Sequence, residues 1–338
     1  MTSKRLGLQT VVFQEAPRII GCSTIAGPKE GDGNLGPYID TLVDDPLMGQ
    51  PTPEKAERML LYQACQDALA KAALKEDDMQ FFIGGDLLNQ IISSSYCARD
   101  LGIPFLGIYG ACSSIVEGLG LGALIVDGGY ADSVLAATSS HYQTSERQFR
   151  YPIELNVQHK KSNQWTVTGA AAAVLSRTGA GPRITMATFG RVLDYGIKSP
   201  NDMGAAMAPA AADTLCRHFA DTGTSPGDYD LILTGDLAAV GQKLFVQLVK
   251  EADYTLGSKH MDVGAVIYKP EQRSGAGGSG CVCSAIGILG YVVKEMHNGR
   301  FDRVLALATG ALFSPVSNQQ GDSIAGIAHA VVIEGGNL

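Results

Sequence analysis

A layered α/β fold built from two similar halves is predicted by three features of this sequence. Short strand-like segments recur in the same order, helical patterns of matching placement follow them, and two of those helical patterns carry almost no charge. The recurring segments are FFIGGDLLN (81–89) with LILTGDLAA (231–239), DSVLAATSS (132–140) with DRVLALATG (302–310), and GAAAAVL (169–175) with GIAHAVV (326–332). Their offsets are 150, 170 and 157 residues. Three matches in one order point to a duplication, and the unequal offsets place insertions between the elements.

The elements follow in turn. The apolar, β-branched runs read as strands, and PEKAERMLLYQACQDALAKAAL (53–74) as an amphipathic helix with Pro near its start. NDMGAAMAPAAADTLCRHFADTG (201–223) takes the matching place in the second half, despite Pro209 inside it. Each half is expected to read β-α-β-α-β-α-β-β, with mostly parallel strands. At the 170 offset, Gly110–Ser114 falls on Gly280–Ser284. Helices apolar all round are buried helices, so the two that start there should form a middle layer between two sheets. Their N-termini would aim at the seam between the halves.

Bulk properties narrow the function. The chain has 338 residues, 45% hydrophobic and 18% charged, which suits a well-buried core longer than one usual domain. A net charge of −8 argues against nucleic acid, which calls for a basic footprint. It also offers no polybasic patch for anionic lipid. Seven cysteines without regular spacing suit a reducing compartment better than a disulfide framework. No signal peptide is expected at the N-terminus. The runs LGLGALIV (119–126) and VCSAIGILGYVV (282–293) fall short of the roughly 20 residues a membrane span needs.

The stretch GIYGACSSIVEGLG (107–120) sets Cys112 between a buried strand and an uncharged helix start. Free N–H groups and the helix dipole there would lower the thiol pKa from about 8.5 towards neutrality. The plainer reading of Cys112 is a small buried apolar residue.

GIYGACSSIVEGL, TGAAAAVLSR (168–177) and the paired halves resemble the thiolase superfamily of thiolases, ketoacyl-carrier-protein synthases and chalcone synthases. The resemblance spans nearly the whole chain. It implies a thiolase-like five-layered α-β-α-β-α fold. An N-terminal half (1–178) would carry a cap segment (141–165), followed by a C-terminal half (179–338). It also implies that Cys112 stands at the reactive cysteine, and that a homodimer forms through the sheet beside it. More narrowly, FFIGGDLLNQ, GIYGACSS, SERQFRYPIE, QWTVTGAAAAVLS, AGGSGCVCSAIG and ATGALFSP resemble the stage V sporulation proteins of spore-forming bacilli. That resemblance implies the handling of dipicolinic acid (pyridine-2,6-dicarboxylic acid) in sporulation and germination. It further implies integral membrane partners of the same group, met at the cytoplasmic side of the spore inner membrane.

Enzymes of the superfamily need a base and a second donor beside the cysteine. Where many carry histidine, this chain has Gly235 and Asp236. Where single-cysteine synthases carry asparagine, it has Gly278. His141, directly after DSVLAATSS, is the one candidate replacement base. His329 reads as a core residue of the last strand, His218 and His297 as surface positions on helices, and His159 and His260 as loop residues.

The expected function is therefore a non-catalytic binding protein for dipicolinic acid or its calcium chelate, moving it into or out of the spore. The alternative is an active acyltransferase or condensing enzyme acylated on Cys112. N–H groups near Cys112, Ser113 and Ser114 would receive a carboxylate. Arg147 and Arg150 of the cap would supply charge. Asp86, Asn89, Ser139, Ser140, His141 and Thr168 would line the same cavity. No cofactor and no metal site is expected. Gly275–Gly280 matches G-x-G-x-x-G but follows the polar run KPEQRS instead of a strand. Cys281 and Cys283 lack a second ligand pair for zinc.

Overall fold

The computed structural model describes residues 4–149 and 160–335. Five main strands come from the first half: β1 (Arg18–Ala26), β2 (Phe81–Gly85), β3 (Phe105–Gly107), β4 (Ser133–Ser140) and β5 (Gly169–Ser176). Five come from the second: β6 (Arg183–Phe189), β7 (Leu231–Thr234), β8 (His260–Asp262), β9 (Arg303–Leu312) and β10 (Ala325–Glu334). The first set lies in the order β1-β5-β4-β2-β3 and the second in the order β6-β10-β9-β7-β8. The same topology therefore occurs twice, and each repeated sequence segment occupies the same place in its set. The sets meet where Arg18 pairs with Arg183.

The strands are not mostly parallel. In each set two pairings are parallel (β4-β2-β3 and β9-β7-β8) and two are antiparallel (β1-β5-β4 and β6-β10-β9). The last strand of each half returns antiparallel beside the fourth, after a connection that carries a short helix.

Helices fill the layers around these sets. α1 (Pro53–Lys71) and α2 (Ile92–Leu101) cover the outer face of the first set. Pro53 opens α1, and Thr52 caps it by accepting from the Lys55 N–H. Leu60, Leu61, Ala64 and Ala68 of α1 are fully buried against Ile25, Leu135 and Val174. α3 (Ser114–Asp127) follows β3, and α4 (Tyr142–Phe149) follows β4. α5 (Met203–Thr222) and α6 (Ala238–Glu251) cover the outer face of the second set, and Pro209 stays inside α5. Proline forgoes one helical hydrogen bond there, and packing of α5 on β9 and β10 compensates.

The rod α7 runs without a break through Cys281–Ala285, a π-helical stretch Ile286–Val292, and Val293–His297. Ile115, Val116 and Leu119 of α3 join Val282, Ile286 and Leu289 of α7 in one core with residues of both sets. The order is thus the thiolase-like α-β-α-β-α. Each of these fully enclosed aliphatic side chains contributes about 1.5–3 kcal/mol. α7 is buried on every side from Cys281 to Val293, as its lack of charge predicts. α3 is not, since Leu124 is 37% exposed. Among the described residues no helix is long and apolar enough to cross a membrane.

Candidate functional site

Cys112 sits in a short 3-10 turn, Ala111–Ser113, that leads into α3. Ala111 adopts φ +50, an uncommon conformation for a residue with a side chain, worth on the order of 1–3 kcal/mol. Both following hydroxyls turn back into the turn. Ser113 Oγ donates to the Gly110 carbonyl and Ser114 Oγ to the Ala111 carbonyl, each at 2.7 Å. The halves touch directly beneath, because a Cβ added at Gly310 would lie 2.2 Å from the Gly110 carbonyl oxygen.

Cys112 is 7% exposed, and its thiol faces the second half. Asp236 and the Gly280 N–H lie close enough to the sulfur to act on it electrostatically. Gly280 takes φ +100 in presenting that N–H, which favours glycine there. Asp236 is fully buried. It accepts from Thr309 Oγ1 at 2.6 Å, Ser279 Oγ at 3.2 Å and Gly280 N at 3.3 Å. Burial pushes its carboxyl up to about 6 against these donors.

The Cys112 thiol is pushed well above its ordinary range, first by burial and then by Asp236 and Cys281. The expected lowering by the helix start is therefore reversed: the Gly280 N–H opposes burial and loses. Proton transfer from this thiol to a carboxyl at about 6 runs uphill, at 1.36 kcal/mol for each unit of the gap. The thiolate that acyl transfer needs is thus disfavoured.

Two adjoining cavities open here. A recess of ≈ 30 Å³ is lined by Cys112, Leu87, Phe149, Gln164, Thr166 and Phe313, with Met203, Met207 and Ser279 deeper in the second half. It has room for little more than water. A vestibule of ≈ 330 Å³ shares Leu87, Ala111, Phe149, Ala311 and Phe313 with it and adds Asn89, Tyr109 and Ser314. The rings of Phe149 and Phe313 meet edge to face at 5.7 Å.

Among the predicted residues, Cys112 lines the recess and Asn89 the vestibule. The others mostly hold backbone. Asp86 is buried and closes the turn after β2, accepting from Leu88 N, Ser94 N and Ser94 Oγ at 2.8–2.9 Å. Ser139 Oγ donates to Glu57 at 3.0 Å. Ser140 Oγ donates to the Val167 carbonyl at 2.7 Å, and Thr168 Oγ1 accepts from Tyr142 N at 3.0 Å.

His141 is not placed as a base. Its Nε2 is 3.1 Å from the Pro46 carbonyl and its Nδ1 takes the Gln143 N–H, so the ring caps the start of α4. Arg147 pairs with Glu54 on α1. Arg150 and His159 lie outside the described residues. His218 is not a surface residue: it is buried, bonded to Thr188 and Tyr229 at 2.7 Å each, and burial pushes its pKa down to about 4. His260 stands in β8, bonded to Thr234 Oγ1 at 2.8 Å.

Sequence reasoning noted Asp236 only as a missing histidine and passed over Gln164, Thr166, Phe149 and Phe313. The recurrence of Gly85-Asp86 as Gly235-Asp236 was the available signal, since it sets an acid after the same strand in each half. Among the described residues no group of three or more His, Cys, Asp or Glu is placed to hold a metal ion.

The first half has its own buried acid, Glu57, which accepts from Ser139 Oγ and from Thr144 Oγ1 at 2.7 Å. Burial, then Asp86, push its carboxyl up to about 8. A raised folded pKa binds the extra proton in the folded state. Stability from this group is therefore complete below about 4.5 and is lost as pH rises towards 8. Wild type is expected to lose more denaturant resistance between pH 5 and pH 8 than Glu57→Gln does, and equal slopes in urea melts would contradict this.

The overall architecture matches solved structures of low sequence identity. A variant of OleA from Xanthomonas campestris aligns with TM-score 0.63 and 15% identity, covering 96% of this chain and 99% of that one. The 3-oxoacyl-[acyl-carrier-protein] synthase III of Aquifex aeolicus VF5 aligns with TM-score 0.57 and 15% identity, covering 94% and 99%. The sequence relationship is much nearer to the stage V sporulation protein AD of Bacillus subtilis (strain 168). Identity there is 48% over 331 residues, 98% of each chain. Residues 7–334 match the family described by that same name. A thiolase-like fold with its cysteine opposed by a buried aspartate is thus the form taken here by a member of the stage V sporulation protein AD family, to which this chain belongs.

Proposed function

We propose that the chain is a non-catalytic binding protein that holds dipicolinic acid, or its calcium chelate, as it moves into or out of the spore. It would act with integral membrane partners of the same sporulation group, at the cytoplasmic side of the inner membrane. Membership of the sporulation family supports the setting. The observation that carries the non-catalytic reading is Asp236, a buried acid facing the thiol where a base would have to assist it.

The vestibule supports the ligand. Its volume falls within the range of about 300–1,000 Å³ usual for small-molecule sites. Phe149, Phe313 and Leu87 offer an apolar slot for a planar ring, and Asn89, Tyr109 and Ser314 stand where carboxylates would project. Arg147 of the cap would balance the charge by turning from Glu54. Among the described residues β3 lies at the edge of its sheet, with Leu106 and Tyr109 exposed, and a second copy would cover this face.

Calorimetric titration with dipicolinate is expected to give saturable binding to the wild type, weakened at least tenfold by Phe313→Ala. Absence of heat from a folded sample would sink the proposal. One observation favours acyl transfer as a second reading: Cys112 opens on a recess whose lining includes the apolar side chains Leu87, Met203, Met207 and Phe313. An adduct on intact protein after incubation with acyl-coenzyme A, lost in Cys112→Ser, would establish that instead.

A further inference from the structure

A cavity of ≈ 420 Å³ lies apart from Cys112, where the start of β1 faces the last turns of α7. It shares no lining residue with the recess or the vestibule. Its wall is apolar: Ile19 and Ile20 from β1, Leu289 and Val293 from α7. Its polar side is built around Asp40. Lys71 at the end of α1 and Lys294 on α7 reach the same Asp40 oxygen, at 3.1 and 2.9 Å. The other oxygen is taken by Thr24 N and Thr24 Oγ1 at 2.9 and 3.1 Å.

Two ammonium groups thus face one carboxylate, and the cluster carries one positive charge in excess. Each ammonium has three donors. Asp40 takes one from each, and the Tyr38 carbonyl takes one more from Lys294 at 2.9 Å, so among the described residues three of six remain. Cys22 completes the wall, its thiol directed at the Leu289 carbonyl at 3.5 Å. Leu289 lies in the π-helical stretch, a local winding that recurs at functional sites.

We propose that this cavity is a second ligand site, taking a small organic monoanion. The carboxylate would bridge Lys71 and Lys294, and the apolar body would lie on Ile19, Ile20, Leu289 and Val293. One excess positive charge suits one negative charge. The apolar wall is nearly enclosed at Ile19, Leu289 and Val293 and more open at Ile20, and it suits a small hydrocarbon or aromatic body, which an inorganic ion lacks. Binding would tie the first strand of one half to the central helix of the other. This goes beyond the dipicolinate reading and uses none of its residues.

Cys22 gives the site its own readout. Benzoate is the probe, benzamide the neutral control of the same shape, and sodium chloride the control for ionic strength. Maleimide labelling of Cys22 in the whole folded chain would be followed by peptide mass spectrometry at pH 8.5. Saturating benzoate is expected to slow labelling at least fivefold, with no comparable effect of benzamide or chloride. Lys294→Gln should abolish the protection. So should Ala180→Trp, which fills the rim from an exposed loop position and spares the fold. Unchanged Cys22 labelling in tens of millimolar benzoate would overturn the proposal, as would protection that survives in both variants.

Discussion

Asp236→Asn is expected to make Cys112 react with iodoacetamide at pH 7 at least tenfold faster than in the wild type. The physical reason is the charge facing the sulfur. In the wild type a thiolate would form beside a carboxylate that is itself deeply buried, and two negative charges in one dry pocket repel strongly. The amide keeps the shape, removes the charge and can donate to sulfur. Every unit recovered in the thiol pKa multiplies the thiolate fraction about tenfold below that pKa. The rate should be followed across pH 6 to 10, where the variant's midpoint is expected to fall. An unchanged profile would show that burial alone silences the cysteine, and the argument from Asp236 would fail. A gain in reactivity without any acylation by acyl-coenzyme A would separate a reactive thiol from a working synthase.

Gly235→His is expected to destabilise the protein by about 2–3 kcal/mol or more. Overpacking a filled core costs on this order. Gly235 has no room for any side chain: a Cβ there would lie 2.1 Å from Ser284 Oγ and 3.4 Å from the Ala308 Cα. Ser284 is fully buried on α7 and cannot swing into solvent. The imidazole would also enter beside Asp236, displacing its bonds to Ser279 and Thr309. Gly235→Ala should show a smaller loss, recovered in part by Ser284→Gly. Urea unfolding of the four proteins tests this. A stable Gly235→His variant would mean that α7 yields more easily than its buried packing implies. The same crowding holds at Gly278, where an added Cβ would meet Ile267 at 2.6 Å and Cys283 at 3.1 Å. The core is thus closed at both glycines.

Much of the architecture was legible because it rests on periodicity. The duplicated strands predicted two equivalent sets, and the uncharged segment at 281–293 predicted an enclosed helix. Both follow from local composition, which burial selects directly. Strand direction was less legible: apolar runs such as GAAAAVLS read alike in parallel and antiparallel sheets, and only the return of β5 beside β4 makes the pairing antiparallel. The site was legible at Cys112, where a motif marks one position. It was not legible at His141, Ser140 or Thr168. Each is a polar residue near the seam, and a polar side chain there serves either a ligand or a buried backbone group. The Pro46 carbonyl, the Val167 carbonyl and the Tyr142 N–H claim these three in turn, and no linear pattern announces that.

The sequence alone determined the duplication, the middle-layer position of α7 and the cysteine at the helix start. These depend on residue identity and order within short stretches. The tertiary structure alone decided the state of that cysteine. Asp236 is more than a hundred residues from Cys112 along the chain, and its charge acts on the sulfur only because the two halves stack, with the Cys112 turn and α3 meeting β9 and α7 at the seam. A pKa is set by burial and by charges within a few ångströms, and those distances exist only after folding.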